Sequence, residues 1–258
     1  MEQEKRKQIE REIYNRQDDM STRPMWGEQW DNELMDFLMR ERREIAENWA
    51  NMYLKNKDVL IPGGGRSEAK LVKDRSCKSI TVVNISEKEI EKSIPYYPKF
   101  TNFIVGDAEN MEFKNDSFEV IIYHGILHHL NLTNALSEIK RVLQPQGILF
   151  IGSEPGLLNP IAFISRKFFP TNIHTPYEKP FIIWNFRKKL KRKGFKELDF
   201  KCFYLLSHAV PIFSKYTSIK NLRWAIKLLL LFERIILKTP IKEFSWYFSA
   251  IYQKTSKK

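Results

Sequence analysis

The chain contains little cysteine and no long apolar run. Its 258 residues include two cysteines, Cys77 and Cys202, which lie far apart and without partners at the spacing of a metal site. This disfavours a disulfide framework or a zinc cluster and favours a reducing cytoplasm. Residues 1–20 are charged and polar, unlike a secretory signal peptide. No apolar run reaches the roughly 18–20 residues that cross a bilayer, so we expect a cytoplasmic protein.

Acidic residues are scarce in the last part of the chain. Residues 151–258 hold 21 lysines and arginines against 6 acidic residues, a balance of +15, whereas residues 1–50 carry −4 and residues 51–150 carry +1. A positive field of this size favours nucleic acid, an anionic membrane or a phosphorylated substrate as partner. A solvated surface explains the same charge. Apolar residues make up 43% of the chain, which is enough for a folded core.

Three consecutive glycines after an apolar run form the most informative motif. The segment 59–62 (Val-Leu-Ile-Pro) leads into Gly63, Gly64 and Gly65, and a polar helix start follows. Glycine has no Cβ and tolerates positive φ, so a ligand can lie against this backbone. The helix start adds N–H groups and the positive end of its dipole. Nucleotide-like cofactors bind at such junctions, although an ordinary tight turn has the same composition.

Strands and helices alternate after the glycine turn. This repetition demands a parallel sheet with right-handed crossovers. Residues 1–20 are expected to form an exposed charged helix, and residues 28–55 one or two amphipathic helices that cap the cofactor cleft. The predicted strands cover 59–61, 79–84, 103–105, 118–123, 148–152, 195–203 and 245–253, the predicted helices cover 68–74, 87–93, 134–143 and 184–193, and a turn is predicted at 144–147.

Polar residues follow the strands where a nucleoside cofactor needs them. Asn84 ends the second strand about 20 residues after the glycines, the usual interval for a residue that binds ribose hydroxyls. The segment 106–109 (Gly-Asp-Ala-Glu) follows the third strand, and Asp107 can accept a hydrogen bond from an exocyclic amine. The fourth strand leads into 123–130 (Tyr-His-Gly-Ile-Leu-His-His-Leu). Together these positions predict a nucleoside-binding edge of the sheet.

These segments resemble class I S-adenosylmethionine-dependent methyltransferases, in particular the small-molecule branch that includes quinone-biosynthesis enzymes. The resemblance covers about residues 40–200 and the last strand, and it rests on 106–109, on 116–121 running into 125–130, and on 138–147. It implies a Rossmann-like, doubly wound α/β fold with a seven-stranded, mostly parallel sheet. The implied division is an N-terminal helical cap (1–55), a methyltransferase domain (56–204 and 245–258) and an amphipathic helical insertion (205–244).

The resemblance also implies the cofactor, S-adenosylmethionine, and the residues that bind it. The glycines line its methionine moiety and ribose, and the asparagine binds the ribose diol. The aspartate contacts the adenine amine beside the alanine backbone, while a tyrosine and a histidine flank the methionine part. The implied cofactor-binding set is Gly63, Gly64, Gly65, Asn84, Asp107, Ala108, Tyr123 and His124.

Three positions depart from the family pattern. Ile61 stands where an acidic residue is usual, Asn84 where Asp or Glu is usual, and Ser67 where the third glycine is usual. Asn84 lacks the charge-assisted strength of a carboxylate, so we expect weaker cofactor binding, and an inactive member stays open. A dinucleotide fingerprint fails because Glu68 stands at its third glycine, and no Gly-Lys-Ser/Thr follows for a Walker A loop.

A histidine pair supplies the catalytic candidates. His128 and His129 lie just past the fourth strand, where an acceptor approaches the methyl group. A base is needed only if the acceptor must lose a proton, and histidine titrates near neutrality. We prefer His129, although packing at a helix start explains the pair equally well. No metal site is expected, because the sequence shows too few ligands nearby. Further pocket candidates are Glu154, His174 and Tyr177.

The insertion gives the best indication of the acceptor. Residues 221–238 place four cations on one face of a helix, with apolar residues around much of the rest. A basic amphipathic helix can lie on an anionic membrane, which favours a small-molecule or lipid-linked substrate and a peripheral membrane location. A helix packed on its own domain fits the pattern as well. The four cations are Arg223, Lys227, Arg234 and Lys238.

Two other hypotheses stay open, an RNA methyltransferase and an inactive binding protein. Lysines and arginines at 187–193 form a dense patch that nucleic acid could contact. Against RNA, the Asn/Asp-Pro-Pro-Tyr motif of base-amine methyltransferases is absent, since Tyr123, His124 and Gly125 stand in its place. The sequence does not predict an oligomeric state.

Overall fold

The computed structural model describes residues 2–16, 32–168, 177–214 and 223–256. Seven strands form one sheet in the order β3-β2-β1-β4-β5-β7-β6, in which β7 runs antiparallel to both of its neighbours. The predicted doubly wound, mostly parallel sheet is therefore confirmed. The strands are β1 (Asp58–Pro62), β2 (Ser79–Asn84), β3 (Asn102–Val105), β4 (Phe118–His124), β5 (Leu143–Pro155), β6 (Phe195–Phe203) and β7 (Tyr247–Lys254).

Helices surround this sheet and connect its strands. Three short 3-10 helices (Ile94–Tyr96, Leu127–His129 and Pro240–Phe244) complete the described elements. Among the described residues, no helix combines the length and apolar character that a bilayer span requires. The α-helices are α1 (Glu2–Arg16), α2 (Asn32–Tyr53), α3 (Arg66–Val72), α4 (Glu87–Ser93), α5 (Leu132–Val142), α6 (Pro160–Phe168), α7 (Ile183–Arg192), α8 (Ala209–Ser214) and α9 (Arg223–Ile236).

The central strands are buried on both faces. Successive side chains of a strand point to opposite faces, so Leu60 packs with α5 and α7 while Ile61 packs with α2 and α3. This burial explains the continuous apolar runs of β1 and β4, which are typical of parallel strands covered by helices. Ile61, at the position where the family usually has an acidic residue, is fully buried in this second core.

The prediction of a turn at 144–147, between a helix and a strand that begins at residue 148, is wrong. β5 begins at Leu143, so these residues lie inside the strand, and Phe118 pairs with Leu143 before the register shifts. Gln146 has φ +62°, which shows that the chain bends within the strand. Gly147 follows, and a Cβ there would approach the backbone oxygen of Gln144 to 2.8 Å. The polar and glycine residues therefore mark a kink in a paired strand.

The N-terminal extension and the insertion meet in a third apolar cluster. α2 contributes Leu38, α9 contributes Ile226, and Tyr204 and Trp246 lie between them. Glu233 of α9 is 1% exposed and accepts a 2.7 Å hydrogen bond from the backbone N–H of Ser207. The division of the chain into cap, central domain and insertion stays a prediction.

The helix expected to be exposed at the N-terminus instead lies against the carboxyl edge of the sheet. Arg6 of α1 donates to the backbone oxygen of His129 at 3.0 Å, and Lys7 pairs with Asp107 at 2.7 Å. Asn15 accepts from the hydroxyl of Ser86 at 2.7 Å. The expectation failed because polar contacts hold this helix, and such contacts give no apolar periodicity that a sequence reading can detect.

Candidate functional site

The glycine turn between β1 and α3 brings backbone to the edge of a cleft. Gly63 has φ +68°, and a Cβ there would lie 1.7 Å from Ile126, so only glycine fits. Its N–H donates to the carbonyl of Val83 at 2.6 Å. A Cβ on Gly65 would meet nothing closer than 3.7 Å, and the hydroxyl of Tyr97 donates to the Gly65 carbonyl at 2.8 Å. Hydrogen bonds to Val83 and Tyr97 therefore hold the turn, and the space beside Gly65 stays free of close contacts.

Glu68 anchors this turn and was not among the predicted site residues. Its carboxylate accepts from the N–H of Gly65 at 2.7 Å and from the hydroxyl of Ser67 at 2.5 Å. It also lies 3.1 Å from Nδ1 of His124, at the end of β4. Burial alone would raise the pKa of Glu68, but these hydrogen bonds, His124 first, hold it below its usual value. An acidic residue three positions after a helix N-cap was the available signal.

Asn84 connects the glycine turn to α4. Its side-chain amide donates to the carbonyl of Gly64 at 3.0 Å, and its side-chain oxygen accepts from the N–H of Ser86 at 2.9 Å. An amide carries two donors and two acceptor lone pairs, so these bonds use half of its capacity. Asn84 therefore lies where a ribose-binding residue belongs, and its predicted role stays a prediction.

Asp107 lines a cleft of about 510 Å³ between the sheet edge and α1. Ile85 and Asn110 line it from the sheet side, and Lys7 lines it from the helix side. Asp107 accepts from the N–H of Glu109 at 2.8 Å and pairs with Lys7. Burial lowers the pKa of Lys7, but its hydrogen bond to Asp107 prevails and holds the pKa above its usual value. The predicted adenine contact thus lies in an open cleft, beside a fixed cation.

Tyr123 and His124 leave the end of β4 in opposite directions. Tyr123 is fully buried in the core, and its hydroxyl donates to the Ala108 carbonyl at 3.4 Å. The Tyr123 side chain therefore helps to hold the backbone of Ala108 from within the core. Only the Tyr123 backbone can flank a cofactor in the predicted way. The His124 side chain is 24% exposed and faces the glycine turn through Glu68. The alternation of side chains along a strand explains the difference.

His128 is held by a buried carboxylate. Glu154, at the end of β5, is fully buried and accepts from the N–H groups of Ile126, Leu127 and His128 at 3.0, 2.9 and 3.3 Å. Its other contact is Nδ1 of His128 at 2.9 Å. Burial raises the pKa of Glu154. The contact with His128 and the backbone donors together lower it by more, so the pKa lies below its usual value. Glu154, predicted as a pocket residue, is therefore buried and orients the His128 ring.

His129 lies in a cluster of titratable groups beneath α1. Its Nδ1 atom lies 3.6 Å from a carboxylate oxygen of Glu10, and its ring meets that of Tyr14 edge-on at 6.2 Å between centroids. Glu178 joins them from the segment before α7. Burial raises the pKa of Tyr14 well above its usual value, and the charges of Glu10 and Glu178 add to this shift. The phenol therefore stays protonated.

The structure brings most of the predicted site residues to one edge of the sheet. Sequence reasoning missed Glu10 and Glu178 because their contacts join segments that are far apart in the chain, and it missed Glu68 although a local signal for it was present. Tyr177 is half-buried beside Glu178, whereas His174 lies outside the described residues. The predicted histidine pair does lie together, with 4.2 Å between the ring centroids.

Comparison with known families identifies the central part of the chain. Residues 60–151 match the family model described as a methyltransferase domain. A chloroplastic 2-methyl-6-phytyl-1,4-hydroquinone methyltransferase 2 from Oryza sativa subsp. japonica is 26% identical over 165 residues, which are 62% of this chain and 45% of the relative. The chain thus spans less than half the length of that curated relative.

Solved structures share the whole fold at low identity. A geranyl diphosphate C-methyltransferase from Streptomyces coelicolor A3(2), solved with Mg²⁺, geranyl diphosphate and S-adenosyl-L-homocysteine, has a TM-score of 0.60. The match has 13% identity and covers 97% of this chain and 98% of that one. A geranyl diphosphate methyltransferase solved with GPP and sinefungin has a TM-score of 0.61 at 13% identity, covering 97% and 100%. These likenesses concern the fold.

Proposed function

We propose that this chain is a class I S-adenosylmethionine-dependent methyltransferase that methylates a small, lipid-like acceptor at an anionic membrane surface. S-Adenosylmethionine, when bound, supplies an electrophilic methyl group on a sulfonium sulfur. The protein then has to hold the acceptor in line with that methyl group and exclude water. Two observations at this edge support the proposal: a Cβ on Gly65 would meet nothing closer than 3.7 Å, and Asp107 lines a cavity of about 510 Å³ between the sheet edge and α1.

Each residue at the sheet edge is proposed to bind a different part of the cofactor. The backbone of the glycine turn lets the cofactor approach closely, and Asn84 offers its remaining hydrogen-bonding capacity to the ribose hydroxyls. Asp107 offers a carboxylate to the adenine amine. His129 and His128 follow β4 at this edge, and either imidazole, while it binds no metal ion, can accept a proton from a hydroxyl nucleophile there.

The relatives support a lipid-like acceptor. The rice protein is named for a phytyl hydroquinone and the two structures for geranyl diphosphate, and both names describe isoprenoid chains. An acceptor with a long isoprenoid chain, such as a phytyl hydroquinone, partitions into membranes. An enzyme that methylates it gains from lying at the bilayer surface, where its substrate is concentrated.

An outward-facing apolar stripe on α9 is the observation that carries the proposal. Five residues lie on one face of the helix, each between 54% and 65% exposed. Ile226 and Glu233, on the opposite face, are buried against the rest of the protein. A membrane surface gives such a stripe an apolar environment. The stripe consists of Trp224, Leu228, Leu231, Phe232 and Ile235.

The charges beside this stripe complement anionic lipid. Lys227 and Lys238 are exposed next to it. Arg223 and Arg234 pair with Glu33 and Glu41 of α2, so two of the four predicted cations also fasten the helix to the protein. Each lysine near an anionic surface contributes about 1 kcal/mol to binding. Apolar burial and charge thus act together on this face.

The test combines vesicle binding with methyl transfer. Vesicles of equal parts phosphatidylglycerol and phosphatidylcholine would carry a prenylated hydroquinone, and transfer from radiolabelled S-adenosylmethionine would be measured. The variant Leu228→Ser/Leu231→Ser/Ile235→Ser should bind vesicles at least about tenfold more weakly, because each apolar side chain contributes about 1 kcal/mol or more. Its affinity for S-adenosylmethionine should not change.

A matched control removes three equally exposed apolar residues elsewhere, Met52→Ser/Ile94→Ser/Phe100→Ser. It should bind vesicles like the wild type. Equal vesicle binding by the stripe variant and the wild type would refute the membrane part of the proposal. Tight, salt-sensitive binding to bulk RNA would favour the RNA hypothesis instead, and no binding of S-adenosylmethionine would favour an inactive binding protein.

A further inference from the structure

We propose that His128, His129 and Glu178 form a binding site for one divalent transition-metal ion. One potential ligand atom from each residue lies within 4.8 Å of the other two. The histidines follow β4, and the glutamate belongs to the segment before α7, so the fold brings them together. The sequence predicted no metal site because neighbouring residues supply too few ligands. The fold brings the Glu178 carboxylate to the histidines, a contact that the sequence did not predict.

His128 is oriented as a ligand. Its Nδ1 atom contacts Glu154, so the ring presents Nε2 on the opposite side. Metal-binding histidines usually donate their second nitrogen to a carboxylate or carbonyl in this manner, which fixes the tautomer and the direction of the ring. Glu154 is itself fixed by three backbone N–H groups. Two of these N–H groups belong to Ile126 and Leu127, which are not ligands, so the support of the His128 ring extends beyond the ligands themselves.

The other two ligands are also held in place. The backbone N–H of Lys179 donates to the carbonyl of His128 at 2.8 Å, which fastens the segment carrying Glu178 beside the histidines. His129 is held through its carbonyl by Arg6 of α1. Glu10, also on α1, places a second carboxylate 3.6 Å from Nδ1 of His129. This carboxylate helps to fix the direction of the His129 ring.

The donor set indicates which metals fit. Two imidazole nitrogens with one or two carboxylates suit Zn²⁺, Fe²⁺ or Co²⁺, whereas Mg²⁺ and Ca²⁺ prefer oxygen ligands alone. Three protein ligands leave a coordination position open, as in catalytic rather than structural sites. The alternative is that the three residues form only a hydrogen-bonded network. A metal site would bind added Co²⁺ or Zn²⁺ tightly, whereas such a network would not.

The position of the site gives the ion a role. Ile126, two residues before His128, packs against Gly63 of the glycine turn, so the ion lies on the acceptor side of the cofactor edge. There it can hold an acceptor oxygen and orient the nucleophile. This role rests on the proposed methyl transfer, whereas the binding of the ion does not.

The experiment titrates chelator-treated full-length protein with Co²⁺ and follows the visible absorption of the bound ion, with Zn²⁺ calorimetry in parallel. The wild type should bind one ion. Glu178→Gln and His129→Asn should each weaken binding at least about tenfold. The control His124→Asn removes a histidine of the same sheet edge that contacts Glu68, and it should bind Co²⁺ like the wild type. Thermal melting shows whether each variant is folded.

Absence of Co²⁺ and Zn²⁺ binding by the wild type would overturn the proposal. So would equal affinity in the wild type and the folded variants Glu178→Gln and His129→Asn. Calorimetry with S-adenosylmethionine on the same samples tests the proposed function separately. Cofactor binding without metal binding would reject only the metal site, and the reverse would reject only the methyltransferase proposal.

Discussion

Nδ1 of His128 lies 2.9 Å from a carboxylate oxygen of Glu154, a residue with no exposed surface. The contact joins the segment after β4 to the end of β5 and fixes the direction of the imidazole ring. Three backbone N–H groups hold the carboxylate, so the ring cannot turn without breaking a larger network. The geometry is that of a positioning residue and the residue it orients.

Replacing Glu154 with glutamine tests this relationship. The amide keeps the shape of the side chain but loses the negative charge that orients His128. We expect Co²⁺ affinity to fall about 10–100-fold, the usual effect of losing such a partner. Titration of the wild type and Glu154→Gln would measure it, with circular dichroism to confirm folding. Unchanged affinity in a folded variant would show that Glu154 only stabilises the fold.

Two alanine substitutions in the glycine turn should separate stability from binding. Gly63→Ala places a Cβ 1.7 Å from Ile126 at φ +68°, so we expect a loss of about 2–4 kcal/mol in unfolding free energy. Gly65→Ala places a Cβ 3.7 Å from the Glu68 carboxylate, an ordinary contact, so it should cost at most about 1 kcal/mol. Urea denaturation measures both.

Gly65→Ala should nevertheless weaken the binding of S-adenosylmethionine, because in the proposed site its methyl group would lie against the cofactor. Calorimetry on this stable variant is the relevant measurement. Wild-type affinity in Gly65→Ala would place the cofactor elsewhere in the cleft.

Asp107→Ala tests the adenine end of the cleft. A lost hydrogen bond to a charged group costs about 1.5–3 kcal/mol, so we expect the dissociation constant for S-adenosylmethionine to rise about 10–100-fold. Asp116→Ala, which removes an exposed partner of Lys254, is the matched control and should bind like the wild type. Equal affinities in the two variants would exclude Asp107 from the cofactor site.

His208 gives a prediction about pH and stability. Its ring lies 4.1 Å from that of Trp246 and 4.8 Å from that of Tyr204, between centroids. Burial, followed by the charge of Arg42, holds the pKa of His208 well below 6.5. The unfolded chain binds a proton near pH 6.5, whereas the folded protein does not, so stability falls as the pH drops below that value.

The expected slope for one proton is about 1.4 kcal/mol per pH unit. His208→Phe keeps an aromatic ring and should remove this contribution. Urea unfolding of both proteins between pH 8 and pH 5 would compare the slopes. Parallel curves for the wild type and His208→Phe would show that His208 titrates alike in both states.

Local signals predicted much of the fold. The segment 79–84 was predicted as a strand with the bounds of β2, and the predicted helix 87–93 matches α4, whose N-cap Ser86 accepts through its hydroxyl from the N–H of Glu89. Both signals act within a few residues, so a sequence contains them completely. The order of polar residues along the sheet edge was predictable for the same reason.

Contacts between distant segments could not be predicted in this way. The cluster of Glu10, His129 and Glu178 exists only once α1 and the segment before α7 have packed on the sheet. The burial of Tyr123 depended on which face of β4 each residue takes. On α9, Arg223, Lys227 and Arg234 share a face as predicted, whereas Lys238 lies beyond the end of the helix. The sequence did not show which face the rest of the protein covers.

α1 has a thermodynamic consequence beyond its role as a wall of the cleft. Through Lys7 it contacts Asp107 at the cofactor end, and through Arg6 and Glu10 it contacts His129 at the acceptor end. A ligand that displaces Lys7 breaks one end of this set of contacts. Whatever change this makes in the affinity of the His129 end for a second ligand is reciprocal, so the second ligand changes the affinity for the first by the same factor.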